Sequence, residues 1–388
     1  MPKVLLKDVV ARIKDKVDKD NTDLKYYIGG EHFDSGEIQI TKKGIIKEST
    51  IGPAFHMRFQ PGDVLLMSRN PHLRKAGIVD FEGICSDVSY VCRTKDENVL
   101  MQRFIPFIFQ TDHFWKFAEE NKKGSTNFFL NWSDFEKYEF ELPQIDEQKK
   151  LCEMMWAFED TKSAYKDLLL QTDELVKSQF IEMFKNGNYP VVKTEDVCEF
   201  ITKGTTPKSD EIYTKAFDDC IPYLKVYNLS FTGEMLFWDE PQYISREVHE
   251  GKLARSKVYP GDVLMNIVGP PLGKFALVSD DFKEWNINQA IAIFRSKEMV
   301  KPKFLLHALL QPDVLGPFLE QAKGVRQLNF SLEQCRNLQF PLPPLDEQQA
   351  FIDFAEQSDK SKFELKQAIE DINNLMRVFM AQNTDKED

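Results

Sequence analysis

Side chains that could do covalent chemistry are scattered along this sequence rather than grouped. An amino-methyltransferase needs an Asn/Asp-Pro-Pro-aromatic stretch and a glycine-rich cofactor loop. Asn70-Pro71-His72-Leu73 lacks the second proline and the aromatic ring, and Gly269-Pro270-Pro271-Leu272 lacks the leading amide. No Gly-x-Gly-x-x-Gly or Walker loop occurs, so neither S-adenosylmethionine nor ATP finds an obvious cradle. Pro312-Asp313 has no Glu-x-Lys nearby to complete a nuclease pattern. The six cysteines (Cys85, Cys92, Cys152, Cys198, Cys220, Cys335) form no C-x-x-C pair, and the six histidines form no H-E-x-x-H. Zinc is therefore not expected, and the thiols read as reduced. The chain is expected to bind rather than to catalyse, with no metal or cofactor of its own.

At 388 residues, 42% hydrophobic and with 31 Phe, the chain can bury two or three cores. The net charge of -12 argues against a free-standing nucleic-acid binder unless positive charge is local or shared with partners. No apolar run approaches the ~18–20 residues that span a bilayer. The opening Met1-Pro2-Lys3-Val4-Leu5-Leu6-Lys7 is too soon charged for a signal peptide. A soluble protein of the cytoplasm is the expectation.

The elements that must position any binding residues come in duplicate. Leu142-Pro143-Gln144-Ile145-Asp146-Glu147-Gln148 returns as Leu342-Pro343-Pro344-Leu345-Asp346-Glu347-Gln348. Pro61-Gly62-Asp63-Val64-Leu65 returns as Pro260-Gly261-Asp262-Val263-Leu264, and Lys123-Gly124 as Lys323-Gly324. Upstream, Lys7-Asp8-Val9 matches Glu195-Asp196-Val197, and Ser35-Gly36-Glu37 matches Thr232-Gly233-Glu234. The order is the same in both halves at an offset of about 200 residues, far too long for a solenoid repeat. Each half starts strand-rich: Pro-Gly is a turn feeding a buried strand, with return strands at Ile78-Val79-Asp80 and Ala276-Leu277-Val278. Helices are predicted over 101–120 and 302–323, with Gly124 and Gly324 as their C-terminal caps.

Past Pro143 and Pro344 the pattern becomes that of long helices, with Asp146 and Asp346 as N-caps. Apolar residues recur with heptad spacing. In the first copy one row is Leu151, Phe158, Tyr165 and its partner row Met154, Leu168, Leu175; in the second the rows are Phe351, Leu365, Ile372, Phe379 and Phe354, Ala368, Leu375. A third row (Met155, Leu169, Val176; Ala355, Ile369, Met376) widens the stripe, and Thr161 and Ser361 supply a matched polar layer. Two stripes of about 35 residues, roughly 50 Å each, are most economically buried against each other as a coiled coil.

These features together resemble the specificity (S) subunit of Type I restriction-modification systems. The resemblance covers essentially the whole chain. It rests on the paired Leu-Pro-x-x-Asp-Glu-Gln boundaries, the Pro-Gly-Asp-Val-Leu strands, and the opening of the second half. That opening, Ile201-Thr202-Lys203-Gly204-Thr205-Thr206-Pro207-Lys208 followed by Ile221-Pro222-Tyr223-Leu224-Lys225, is similar to the start of many target recognition domains. The first half departs from it, with no Gly-x-Thr-Pro stretch before Tyr26-Tyr27-Ile28-Gly29. The resemblance implies an α+β protein of two tandem α/β target recognition domains (1–142 and 188–340), each followed by a long helix (143–187 and 341–388). The helices would pack as an antiparallel coiled coil with pseudo-twofold symmetry. It further implies a double-stranded DNA ligand in two half-sites and two methyltransferase (M) subunits modifying adenine. It also allows two restriction/translocase (R) subunits. S-adenosylmethionine, ATP and Mg would reside in those partners.

Candidate DNA contacts follow from side-chain chemistry, since Arg can hold guanine and Asn or Gln adenine bidentately, while Lys more often holds phosphate. In the first half these are Arg69, Asn70, Arg74 and Lys75 after the Asp-Val-Leu strand, then Lys123, Ser125 and Asn127. In the second they are Lys203, Thr205, Thr206 and Lys208 in the opening loop, Lys225 and Asn228, Lys274 in the hairpin, and Arg326 and Gln327 after Lys323-Gly324. The two sets differ, so the site should be asymmetric. Two alternatives stay open at this point. One is the specificity subunit of a Type IIB-like or nuclease-free methyltransferase system; the other is a coiled-coil adaptor that binds protein.

Overall fold

Each Pro-Gly-Asp repeat folds as a type II turn. Asp63 N donates to Gln60 O at 3.0 Å and Asp262 N to Tyr259 O at 3.0 Å. Proline takes the second turn position, and Gly62 (φ 88°) and Gly261 (φ 89°) take the left-handed third, which disfavours any side chain. The aspartate then folds back to accept the N–H of Gln60 (2.7 Å) or Tyr259 (2.9 Å). It also grips Arg93 or Arg295 of a neighbouring strand through two guanidinium nitrogens. Both carboxylates are 3% exposed, so the repeated motif is a structural corner rather than a binding site.

The computed structural model describes residues 2–185, 187–322 and 329–384. Its contacts divide the chain into two units, Met1–Lys166 with Lys366–Asp388, and Asp167–Leu365. The strands of the first unit are β1 (Lys3–Leu5), β2 (Val10–Ile13), β3 (Tyr26–Ile28), β4 (Gly44–Ile45), β5 (Phe55–Phe59), β6 (Val64–Met67), β7 (Ala76–Ile78), β8 (Gly83–Ser86), β9 (Ser89–Thr94) and β10 (Glu139–Glu141). They form sheets ordered β2-β9-β6-β7 and β4-β3-β8-β5 and a small pair β1-β10. The second unit repeats this with β11 (Val191–Lys193), β12 (Cys198–Lys203), β13 (Cys220–Leu224), β14 (Tyr243–Ser245), β15 (Lys257–Val258), β16 (Val263–Asn266), β17 (Phe275–Leu277), β18 (Trp285–Ile287), β19 (Ile291–Ser296) and β20 (Gln339–Pro341). Its sheets are β12-β19-β16-β17, β14-β13-β18-β15 and β11-β20. Among the strands of the described residues, a parallel pairing falls at the same place in each unit, β3 with β8 and β13 with β18. The duplication seen in sequence is thus a duplication of topology.

The predicted 101–120 helix is broken. A 3-10 turn and the short helix Ile105–Ile108 precede Asp112–Glu120, which Thr111 caps through Phe114 N (3.2 Å). That helix ends at Glu120 with Asn121 as its cap, so Gly124 is a loop residue (φ 95°) rather than the terminator. In the second unit the equivalent segment splits into Pro302–Leu309 and Pro312–Ala322; Lys323 and Gly324 lie outside the described residues.

The long helices run from Ile145 to Phe180 and from Leu345 to Thr384. Gln148 N donates to Gln144 O (2.9 Å) and Gln348 N to Pro344 O (3.0 Å), which places Asp146 and Asp346 in the first turn instead of at the cap. The glutamine of the repeated motif is a clamp. Gln148 is fully buried, accepts Met101 N–H (3.0 Å) and donates to Val99 O and Pro143 O, both 2.8 Å. Gln348 does the same with Lys301 N, Met299 O and Pro343 O.

Each unit holds a stretch of both helices. In the first, Leu151, Met155 and Trp156 share a core with Ile372, Met376 and Met380. In the second, Phe180 meets Phe351 (ring centroids 5.3 Å) and Asp173 meets Lys362 (3.0 Å). Residue numbers rise on one helix as they fall on the other, so the pairing is antiparallel. Leu151, Phe351 and Ile372 are buried as predicted, and Met154, Phe158, Tyr165, Phe354, Leu365 and Phe379 are partly buried. The predicted partner row is corrected at three positions, since Leu168, Leu175 and Leu375 are 44%, 52% and 53% exposed. Their places are taken by the third row, with Met155, Val176, Ala355 and Met376 all buried. Thr161 and Ser361 are exposed and hydrogen-bond back to their own helices. The paired polar residues lie one residue later, at Lys162 with Glu159, both buried, and at Lys362 with Asp359, both partly exposed.

All six cysteines are free thiols, and burial pushes Cys152, Cys198 and Cys335 up to about 12. No helix among the described residues is long and apolar enough to cross a membrane.

Candidate nucleic-acid interface

In the first unit two loops distant in sequence are zipped together. The β6–β7 hairpin loop, 68–75, receives Leu130 N at Ser68 O (2.8 Å), and Asn70 N donates to Phe128 O (2.9 Å). The second loop closes on itself through paired bonds between Lys123 and Phe129 (2.8 and 3.0 Å). Gly124 is required there, because a Cβ would meet Asn127 O at 2.7 Å. Asn70 (φ 51°) and Arg74 (φ 47°) hold the left-handed conformation, which gives the hairpin loop its shape. The result offers Arg69, Ser125 and Asn127 to solvent, with Asn70 half-buried beside them.

Three predicted contacts in this unit are engaged within it. Arg74 pairs with Asp112 while remaining 42% exposed. Lys75 Nζ donates to Gly30 O (2.6 Å), and Lys123 Nζ to Asp134 (2.6 Å). The Lys123 bond, ahead of a second one from Lys137, holds the Asp134 carboxyl below its ordinary value. Lys75 and Lys123 therefore anchor the loops, a role invisible in sequence because their partners are 45 and 11 residues away.

The second unit builds the same junction. Phe330 N donates to Ile267 O (2.9 Å), and Val268 pairs with Asn329. Ile267 N in turn donates to Ala290 O (2.8 Å), as Ser68 N does to Val88 O in the first unit. The opening loop joins this turn: Gly204 N reaches Ile291 O (3.0 Å), Thr205 N reaches Ile287 O (3.3 Å), and Thr206 Oγ1 accepts Gln289 N (3.3 Å). Glycine is needed at 204, where a Cβ would stand 2.1 Å from Asn288 O. Asn288 N donates to Leu224 O (3.1 Å), which brings Lys225 to the same end of the sheet. Lys203, Thr206 and Lys208 are exposed; Thr205, Lys225 and Lys274 are half-buried, the last 5.8 Å above the ring of exposed Phe231. Arg326 and Gln327 lie outside the described residues.

Asn228 is a correction. Its side chain is fully buried, with Oδ1 accepting Lys225 N (2.9 Å) and Nδ2 donating to Leu236 O (3.1 Å), so both amide ends serve the fold. Two residues missed in sequence belong to the junction. Arg255 is exposed and donates from Nε to Thr205 Oγ1 (2.9 Å), and Gln289 meets Thr206. Neither sits in a recognisable motif, and only the fold brings them to the opening loop. In the first unit the segment after β2 is instead bound along β5, with Arg58 N on Asp15 O (2.8 Å) and Val17 N on His56 O (2.9 Å). The first unit thus holds residues 15–17 against β5, where the second unit turns the opening loop toward β18 and β19.

Among the described residues, His249, Glu250 and Glu284 are close enough to suggest a metal site. The cluster is already neutralised. Lys257 pairs with Glu250 (2.5 Å) and Arg246 with Glu284 (3.1 Å), and burial, with Lys257 adding, pushes the His249 imidazole below its ordinary value. It is an ion-pair network closing one side of the second unit.

Comparison with known proteins agrees with this duplicated architecture. The family model described as Type I restriction modification DNA specificity domain matches residues 3–171 and again 186–374. The Type I restriction enzyme EcoBI specificity subunit of Escherichia coli is 31% identical over 146 residues, 36% of this chain and 30% of that protein. The MjaVIII specificity subunit of Methanocaldococcus jannaschii is 20% identical over 284 residues, 67% of this chain and 66% of its own. The chain thus spans less than two thirds of the length of either relative. Two solved structures share the fold. A chain from a study of complex assembly and conformational transition of the type I R-M system superposes with a TM-score of 0.56 at 17% identity, covering 98% of this chain and 97% of that one. The S subunit from M. genitalium gives 0.51 at 11% identity, covering 100% and 96%. With the family model matched once in each half, this chain belongs to the Type I restriction-modification DNA specificity family.

Proposed function

We propose that this chain is the non-catalytic subunit that gives a Type I restriction-modification complex its DNA specificity, each domain reading one half of an asymmetric bipartite site. The observation that carries this is the repeated junction. Both domains bind the hairpin loop to the loop that follows their helical segment through equivalent main-chain bonds, yet they present different side chains. In the first domain Arg69, Asn70, Ser125 and Asn127 are offered. In the second the hairpin carries Val268 and Gly269 at the places of Arg69 and Asn70, and Lys203, Thr206 and Lys208 of the opening loop and Arg255 are exposed instead. One scaffold with two sets of contacts suits two different words in one duplex.

The long helices would hold the readers apart. The first has 36 residues, roughly 54 Å at 1.5 Å per residue, against the ~34–36 Å at which one face of a duplex recurs. The gap between half-sites would then be set by helix length and not by base contacts. Two M subunits, and R subunits where present, would dock on the exposed faces of these helices. There Leu168, Leu170 and Leu175 on one helix and Phe363, Leu375 and Val378 on the other stand exposed among acidic residues. S-adenosylmethionine, ATP and Mg would be carried by those partners.

The test is binding and adenine methylation by the chain reconstituted with its M subunits. Affinity should fall steeply with salt, and altering either half-site should abolish methylation, while altering the gap sequence should not. Salt-independent association that ignores sequence would refute the reading and favour a protein-binding adaptor.

A further inference from the structure

A reader can measure distance only if it is held at a set angle to its helix, and the first unit contains a tie suited to that. Lys162 of the long helix is 2% exposed and binds Glu159, one turn earlier, and Glu37 of the domain body (3.1 Å). Lys166 reaches the other Glu37 oxygen at 2.7 Å. Burial raises the Glu37 carboxyl, yet the two ammonium groups outweigh it and hold the group below its ordinary value, ionised.

Glu37 ends a turn made possible by Gly36 (φ 75°), whose N–H donates to Arg74 O at 3.3 Å. Gln110 Nε2 donates both to Glu37 O (3.2 Å) and to Ala76 O (2.7 Å), while the Arg74 side chain pairs with Asp112. The base of the candidate reading hairpin, this turn and the long helix therefore form one continuous polar network. The packing beside it is not sealed. A cavity of about 240 Å³ lies there, lined in part by Glu37, Gln110, Glu159, Lys162, Asn373 and Met376. Charge pairing therefore adds to the apolar core that Ile38, Phe107, Met155 and Trp156 form between domain and helix at this point. The second unit is built differently: Lys362 turns to Asp173 of the other helix, and Lys303 ties the domain to Asp359 (2.9 Å).

We infer that Glu37 is a positioning residue, which through Lys162 and Lys166 sets the angle of the first reading hairpin and so the half-site spacing the protein accepts. This rests on the bipartite reading proposed above. Glu37→Ala is the direct variant, because Lys162 keeps Glu159 as its partner. The probes are duplexes carrying the motif methylated by the wild-type complex, with its gap kept or changed by one base pair in either direction. The preference for the native gap over its neighbours should fall about 2- to 30-fold in Glu37→Ala. The fall should be smaller in Glu37→Asp. Lys166→Ala, at a half-exposed position outside the apolar core, should shift the preference the same way. A wild-type ratio across the three gaps in Glu37→Ala or, should that variant not fold, in Lys166→Ala overturns the inference, even where overall affinity drops. If the wild-type complex methylates no bipartite motif, it is the underlying reading that fails.

Discussion

Replacing Gln148 by Ala removes the clamp that joins the first long helix to its domain, and its cost can be worked from the three bonds it makes. Pro143 O is buried and would lose its partner outright, at about 1–3 kcal/mol for an unsatisfied group. Met101 N and Val99 O are only partly buried, so water can replace some of each bond, at about 0.5–1 kcal/mol apiece. The sum is about 2–5 kcal/mol. For a unit of this size each kcal/mol moves the melting temperature by about 2–4 °C, so Gln148→Ala should lower it by roughly 4–20 °C. Gln348→Ala should do the same to the second unit, whose glutamine makes the same three bonds. Calorimetry of the single variants, with hydrogen exchange at residues 99–101 and 299–301 to locate the loss, would measure this. A change below 1 °C in both variants would show that the repeated motif does not act through its glutamine.

Other expectations follow from the same geometry. Asp262→Ala should cost about 3–5 kcal/mol in urea unfolding, since it strands a partly buried Arg295 and opens the turn. His307 is held neutral by burial, with a pKa of about 4 that Asp359 only partly restores. Because the folded value lies below the ordinary 6.5, its contribution is complete above pH 6.5 and is lost as pH falls toward 4. At about 1.4 kcal/mol per pH unit, roughly 3 kcal/mol should disappear over that window. His307→Phe should flatten the pH dependence, and an unchanged slope would contradict this. Arg69→Ala should weaken binding to substrates through the first half-site alone, by ~1–3 kcal/mol if it reads a base. Competition with duplexes altered in one half would reveal it. Val176→Ala should destabilise by about 1–2 kcal/mol while Leu175→Ala stays within about 0.5 kcal/mol, reversing the order expected from the heptad rows alone.

The duplication was legible because the same local physics recurs in both halves. Pro-Gly-Asp makes the same turn twice, and Asp-Glu-Gln starts the same helix twice. What those motifs do was not legible, because the partners of Asp63 and Gln148 (Arg93, Met101, Val99) lie 30 to 49 residues away. In the helix seam the first and third rows are buried or partly buried as read, and only the partner row fails, at Leu168, Leu175 and Leu375. A straight helix drifts by about 20° per heptad, and each helix also buries a face against its own domain, so the core moved from Leu175 to Val176. Lys162 escaped notice for a related reason. A lysine on a helix reads as solvated until a distant Glu37 is placed over it. At the candidate interface the hairpin and opening loops were found from their residue types. Sequence alone could not separate an exposed reader such as Arg69 from an anchor such as Lys75, nor see that Asn228 points inward.

The central claim is that two unlike readers on one scaffold impose a fixed, unread gap. Single-molecule sequencing of modified bases in DNA exposed to the reconstituted complex tests it most directly. The account predicts methylated adenines in one motif of two different half-sites separated by a constant number of arbitrary bases. A contiguous motif, a palindrome, or methylation without sequence preference would contradict it.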